Sequence, residues 1–181
     1  MGRNMKNLTK ALTGIAVAGG LFTASAQAAE VAIGEPIEKN GMEIAAVYLQ
    51  AVQMEPIHPS EGPSDIHLEA DIHAIKGNNN GFGEGEWMPF MNVTYKLEKI
   101  GSDWSEVGLL LPMSASDGPH YGQNIKMDGA GKYRVTFNIA SPAEQGFLRH
   151  TDKETGVGKW WAPFSTSWEF VYAGAGKKGG Y

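Results

Sequence analysis

Residues 65–74 read DIHLEADIHA, and they alternate without a break. Ile66, Leu68, Ala70, Ile72 and Ala74 occupy one parity; Asp65, His67, Glu69, Asp71 and His73 occupy the other. Side chains in an extended strand point to opposite faces in turn, so this is a strand with one apolar face and one polar face. The apolar row needs a second layer to cover it. The polar row carries two imidazoles and three carboxylates, with neighbours on one face roughly 6.5–7 Å apart. That spacing lets His67 and Glu69 reach one ion between them. An ordinary solvated strand face is also polar, and alternation alone leaves both readings open.

The rest of the chain is written in the same style. Residues 42–54 (MEIAAVYLQAVQM), 90–100 (FMNVTYKLEKI), 104–111, 133–139 (YRVTFNI) and 167–173 (SWEFVYA) are short runs rich in β-branched and aromatic residues. They are separated by GNNNGFGEGE, SDGPHYG and DGAGK, which are turn signals. Residues 29–40 read as an extended lead-in. No stretch keeps a capped 3.6-residue period. Six or seven short strands with such punctuation predict an all-β, immunoglobulin-like antiparallel β-sandwich.

The N-terminus has three parts: the basic residues Arg3, Lys6 and Lys10, an uncharged apolar run from Ala11 to about Ala24, and an A-x-A site at Ala26 and Ala28. That is the layout of a cleaved secretory signal over residues 1–28. The apolar run is shorter than the ~20 residues of a membrane span. Residues 29–181 then form one domain, with a glycine-rich tail from about 174 read as frayed. Cleavage removes three of the 15 basic residues and none of the 20 acidic ones, so the mature charge is −8. Such a charge opposes binding to nucleic acid phosphates. Nothing in the mature part is long and apolar enough to embed in a membrane.

There is no cysteine. Thiolate zinc sites, iron–sulfur clusters, cysteine nucleophiles and blue-copper centres are therefore excluded. The chain has no G-x-S-x-G or P-loop motif, and no nucleophile–base pair is visible, so it is not read as an enzyme. Any metal must be held by His, Met, carboxylate or backbone oxygen. Beyond His67 and His73, the histidines are His58, His120 in DGPHYG, read as a Gly/Pro loop, and His150 in FLRH, read as another polar loop. Met113 follows a proline at a strand end.

The strings NGMEIAAVYLQ, DIHLEADIHA, GFGEGEWMPFMNVTY, PMSASDGPHYG, YRVTFNIASP and GFLRHTDKETGVGKWWAPF resemble the bacterial periplasmic iron-transport proteins, copper- and iron-binding partners of an inner-membrane iron permease. The resemblance runs from about Ile33 to Ala173. It implies an immunoglobulin-like sandwich, a homodimer, and copper and/or iron as the bound ion. Carried over by motif, it implies His67, Glu69, Met113, His120 and His150 as metal ligands, with Asp65, Asp71 and His73 in support. It leaves His58 on the surface. Whether every ligand comes from one chain stays open. The alternatives are a periplasmic copper chaperone, or a metal-free sandwich that docks a partner through Trp87, Trp160, Trp161 and Phe164.

Overall fold

The computed structural model describes residues 30–57 and 62–175. The signal reading at 1–28, His58, and the tail beyond residue 175 lie outside the described residues.

The alternating stretch forms strand β4 (Ile66–Ala74), and its apolar row is fully buried. Before it come two short strands, β1 (Val31–Ala32) and β2 (Ile37–Lys39), both antiparallel to β3 (Met42–Gln50). After it come β5 (Asn92–Lys99), β6 (Ser105–Ala115), β7 (Gly118–Ile125), β8 (Gly131–Ala140) and β9 (Phe164–Tyr172). The strand order is β1-β3-β4-β7-β6-β5-β8-β9, with β2 on β3, and all pairings are antiparallel.

β6 makes this a sandwich. Its first half pairs with β5, up to Leu110 opposite Val93; its second half pairs with β7, from Leu111 opposite Gly122. One strand thus belongs to both layers, and the sheet folds over on itself. Switching a strand between layers in this way is a known route to a two-layer core. The core lies between the layers: Tyr48 of β3 meets Phe170 and Tyr172 of β9 with ring centroids 5.5 and 6.0 Å apart. Phe137 packs edge-on to Trp168.

The expected sandwich is present, with nine strands among the described residues rather than six or seven. Two of the additional ones are β1 and β2, too short to carry a periodic signal. The third, β7, corrects the reading of DGPHYG as a loop: Gly118 to Ile125 is a strand, and the turn is confined to Ser116 and Asp117. Pro119 is tolerated because it lies next to the turn, opposite Ser114. Trp87, Trp161 and Phe164 pack against the core rather than forming an exposed patch. Trp160 joins them through a T-shaped contact with Trp161.

Candidate metal centre

The polar row of β4 faces away from the core, yet it is not solvated at its first half. His67 is 1% exposed and Glu69 5%. The register explains why. β4 is an interior strand, with Leu49 and Val47 of β3 opposite His67 and Glu69 on one side, and Asn124 and Gly122 of β7 opposite them on the other. Two residues along β7 from Gly122 is His120, also 5% exposed, and its cross-strand partner on β6 is Met113. Three adjacent strands therefore deliver two imidazoles, a carboxylate and a thioether to one side of the sheet.

Glu69 Oε1 lies 3.5 Å from His67 Nε2 and 3.3 Å from His120 Nε2. Ligand atoms of all three residues fall within 4.8 Å of one another. They line a cavity of about 560 Å³ together with Met113, Met54 and Asp117. Two observations test whether a cation fits here. His67 Nε2 is buried and has no hydrogen-bond partner, a costly state for a polar atom unless something else satisfies it. Gly122 leaves the space: a Cβ on it would sit 2.5 Å from His67 Nε2 and 3.3 Å from His120 Cδ2. Only the missing side chain lets both rings converge. The donor set fits a first-row transition metal, since imidazole and thioether suit copper and a carboxylate suits iron.

Burial dominates the electrostatics. It lowers the His67 imidazole to about 4, against the opposing hydrogen bond from the ring to Asn124, with the nearby His120 charge adding to the lowering. Burial likewise raises Glu69 to about 8, assisted by the negative charges of Asp71, Glu30 and Asp117. Both groups are thus held in their uncharged forms at neutral pH. A cation entering the cavity replaces the carboxyl proton and restores the charge that burial disfavours.

The remaining candidates are placed as follows. Asp71 and His73 line a shallow hollow beside the site with Glu30 and Asp117. Asp71 is raised by burial, and so is Glu30, helped by a hydrogen bond to Asp117. Asp65 is drawn off elsewhere: its carboxylate accepts from the Met127 N–H and from Lys126 Nζ, each at 2.9 Å. His150 is not among the residues lining the cavity. Its side chain is 74% exposed, on the loop after the 3-10 turn Pro142–Gln145, with Nδ1 2.7 Å from Thr155 Oγ1. Sequence reasoning did not single out Gly122, Met54 or Asn124. The last lies 2.9 Å from His67 Nδ1.

Residues 27–174 match the pattern of the family described as Fe2+ transport protein. The chain belongs to that family. A UPF0423 protein of Brucella abortus (strain 2308) is 51% identical over 162 residues, which is 86% of this chain and 88% of that protein. The 34 kDa membrane antigen of Treponema pallidum is 40% identical over 147 residues, 77% of this chain and 72% of that one. Among solved structures, copper-reconstituted P19 of Campylobacter jejuni is 52% identical with a TM-score of 0.80, covering 82% of this chain and 99% of that chain. FetP of uropathogenic Escherichia coli strain F11, produced in the periplasm, is 53% identical with a TM-score of 0.77, covering 81% and 97%. The family, the sandwich and the His/Glu cluster agree with one another.

Proposed function

We propose that this member of the Fe2+ transport protein family is a periplasmic protein that binds copper and iron and serves an inner-membrane iron permease. The observation that carries the metal reading is the buried cluster of His67, Glu69 and His120, with Met113 lining the same cavity. His67 and His120 are the nitrogen donors, Met113 the soft donor that favours copper, and Glu69 the oxygen donor that iron prefers. The ion is cargo or partner in uptake, and no chemical turnover is assigned. Export through the N-terminal signal and cleavage before Ala29 complete the reading. Among the described residues no helix is long and apolar enough to cross a membrane.

The proposed assembly is a homodimer. His150 is exposed and lies outside its own chain's cavity, so it serves as a ligand when a second copy presents it. Exposed apolar residues, Val107 and Leu109 on β6 and Leu148 two residues before His150, suit burial between copies.

Titration calorimetry of the mature protein with Cu2+ tests the core of this. Tight binding is expected for the wild type and loss for His120→Ala; a folded wild type that takes up no copper removes the metal reading. Deleting the gene is expected to impair growth under iron limitation. A defect confined to copper stress favours the chaperone instead.

A further inference from the structure

The three strands β3, β4 and β7 lie side by side with β4 in the middle. Asn124 on β7 is the register partner of His67 on β4. Yet its carboxamide reaches past that ring to the backbone of Val52, just beyond the end of β3. For this to happen the chain leaving β3 must pass over β4 on the cavity side. Residues 52–55 accordingly line the cavity, and they roof His67, which is why an imidazole on a sheet surface is so thoroughly buried.

The two bonds to Val52 leave Asn124 no freedom. Its Nδ2 donates to the Val52 carbonyl at 2.8 Å, and its Oδ1 accepts from the Val52 N–H at 3.2 Å. A backbone N–H can only donate and a carbonyl can only accept, so the amide cannot be flipped. Its Oδ1, with a second lone pair to use, is the atom 2.9 Å from His67 Nδ1. An acceptor there requires Nδ1 to carry a proton. A metal binds the neutral ring, and of the two neutral tautomers this one leaves Nε2 bare. Nε2 is the atom that faces Glu69 and lacks a partner.

We infer that Asn124 is a positioning residue for the metal site: one carboxamide selects the His67 tautomer that presents Nε2 to a cation and pins the roof of residues 52–55 over the same ring. This deepens the metal reading proposed above and rests on it for the affinity arm of the test. The outer partners of a ligating histidine commonly set metal affinity by about 10- to 100-fold. The roof carries Met54 and Glu55 into the cavity, so loosening it also disturbs the entrance.

Two variants separate the two roles. Asn124→Asp keeps an acceptor for Nδ1–H and for the Val52 N–H but removes the donor to the Val52 carbonyl. Asn124→Leu removes all three bonds. Nitrogen-15 NMR of the ring on metal-free protein reads the tautomer, amide hydrogen exchange reads the roof, and Cu2+ titration reads affinity. Asn124→Asp is expected to keep the tautomer and to speed exchange across residues 51–54. Asn124→Leu is expected to mix the tautomers, speed the same amides and raise the copper Kd by about 10- to 100-fold. A single tautomer and wild-type Kd in Asn124→Leu overturn the inference. If that variant does not fold, unchanged roof exchange in Asn124→Asp overturns it instead. A wild type that binds no copper defeats the metal reading, while the NMR and exchange arms on metal-free protein still decide the clamp.

Discussion

Adding one methyl group at Gly122 strikes the metal centre without removing any ligand. The Cβ of Gly122→Ala falls 2.5 Å from His67 Nε2 and 3.0 Å from Cε1. Ordinary carbon contacts begin at about 3.5 Å, so the ring must retreat by roughly 1 Å. It has little room to do so, being 1% exposed and held at Nδ1 by Asn124. Overpacking of this kind costs about 1–3 kcal/mol, partly offset by about 0.4–1 kcal/mol from the smaller chain entropy of alanine in the unfolded state. The net destabilisation is then about 2.6 kcal/mol at most, which a domain of this size survives. The site fares worse, because its donors no longer converge. A displaced ligand geometry should cost copper affinity about 10- to 100-fold, or about 1.4–2.8 kcal/mol. The assay pairs Cu2+ titration with a thermal melt, and Gly108→Ala serves as control. There a Cβ would meet Tyr95 Cε1 at 2.7 Å and its hydroxyl at 2.8 Å, a similar crowding against a ring that does not line the cavity. Both variants should melt lower, and only Gly122→Ala should lose copper. A Gly122→Ala protein with wild-type copper affinity refutes the claim that this glycine exists to clear the site.

Other substitutions probe single contributions. Glu69→Gln keeps the shape of the site and removes the carboxyl group that can ionise against an entering cation, so copper binding by titration should persist while iron-limited growth suffers; normal growth sinks the role given to the carboxylate. Met113→Leu conserves volume at a cost below about 1.5 kcal/mol and should weaken copper(I) more than copper(II) in competition titrations, because only the thioether is soft. Tyr121 points into the core, where its hydroxyl donates to the Met88 carbonyl at 2.7 Å and accepts from the Met91 N–H at 3.0 Å. Tyr121→Phe strands both backbone groups and should cost about 2 kcal/mol or more, lowering Tm by about 4–8 °C with copper affinity unchanged. Phe137→Ala empties a fully buried position and should cost about 3–5 kcal/mol in denaturant melts.

β4 was legible because its signal is local. Alternation is a property of consecutive residues, and a row such as Ile66, Leu68, Ala70, Ile72 and Ala74 has no stable place except against another layer. The same holds for the strand-rich, turn-punctuated style that predicted a sandwich. The five proposed ligands came from motif resemblance, and the His67–Glu69 pairing from spacing as well. β7 was illegible for an instructive reason: glycine and proline break local patterns whether they turn the chain or merely sit in a strand. Gly122 is there for clearance, above all from the His67 imidazole on the neighbouring strand β4, and no window of neighbouring residues contains that information.

By itself, then, the sequence determined the class of fold, the face of β4 that would be buried, and the residue types available to a metal. The tertiary structure decided which of them meet. Strand order and register set Met113 beside His120 and Gly122 beside Glu69, drew Asp65 away to Lys126 and Met127, and left His150 outside its own chain's cavity. It also sank the polar face of DIHLEADIH at His67 and Glu69, under a roof pinned by Asn124. The alternation of that face is written in adjacent residues; its burial arises from strands and loops far apart in the chain, which only folding brings together.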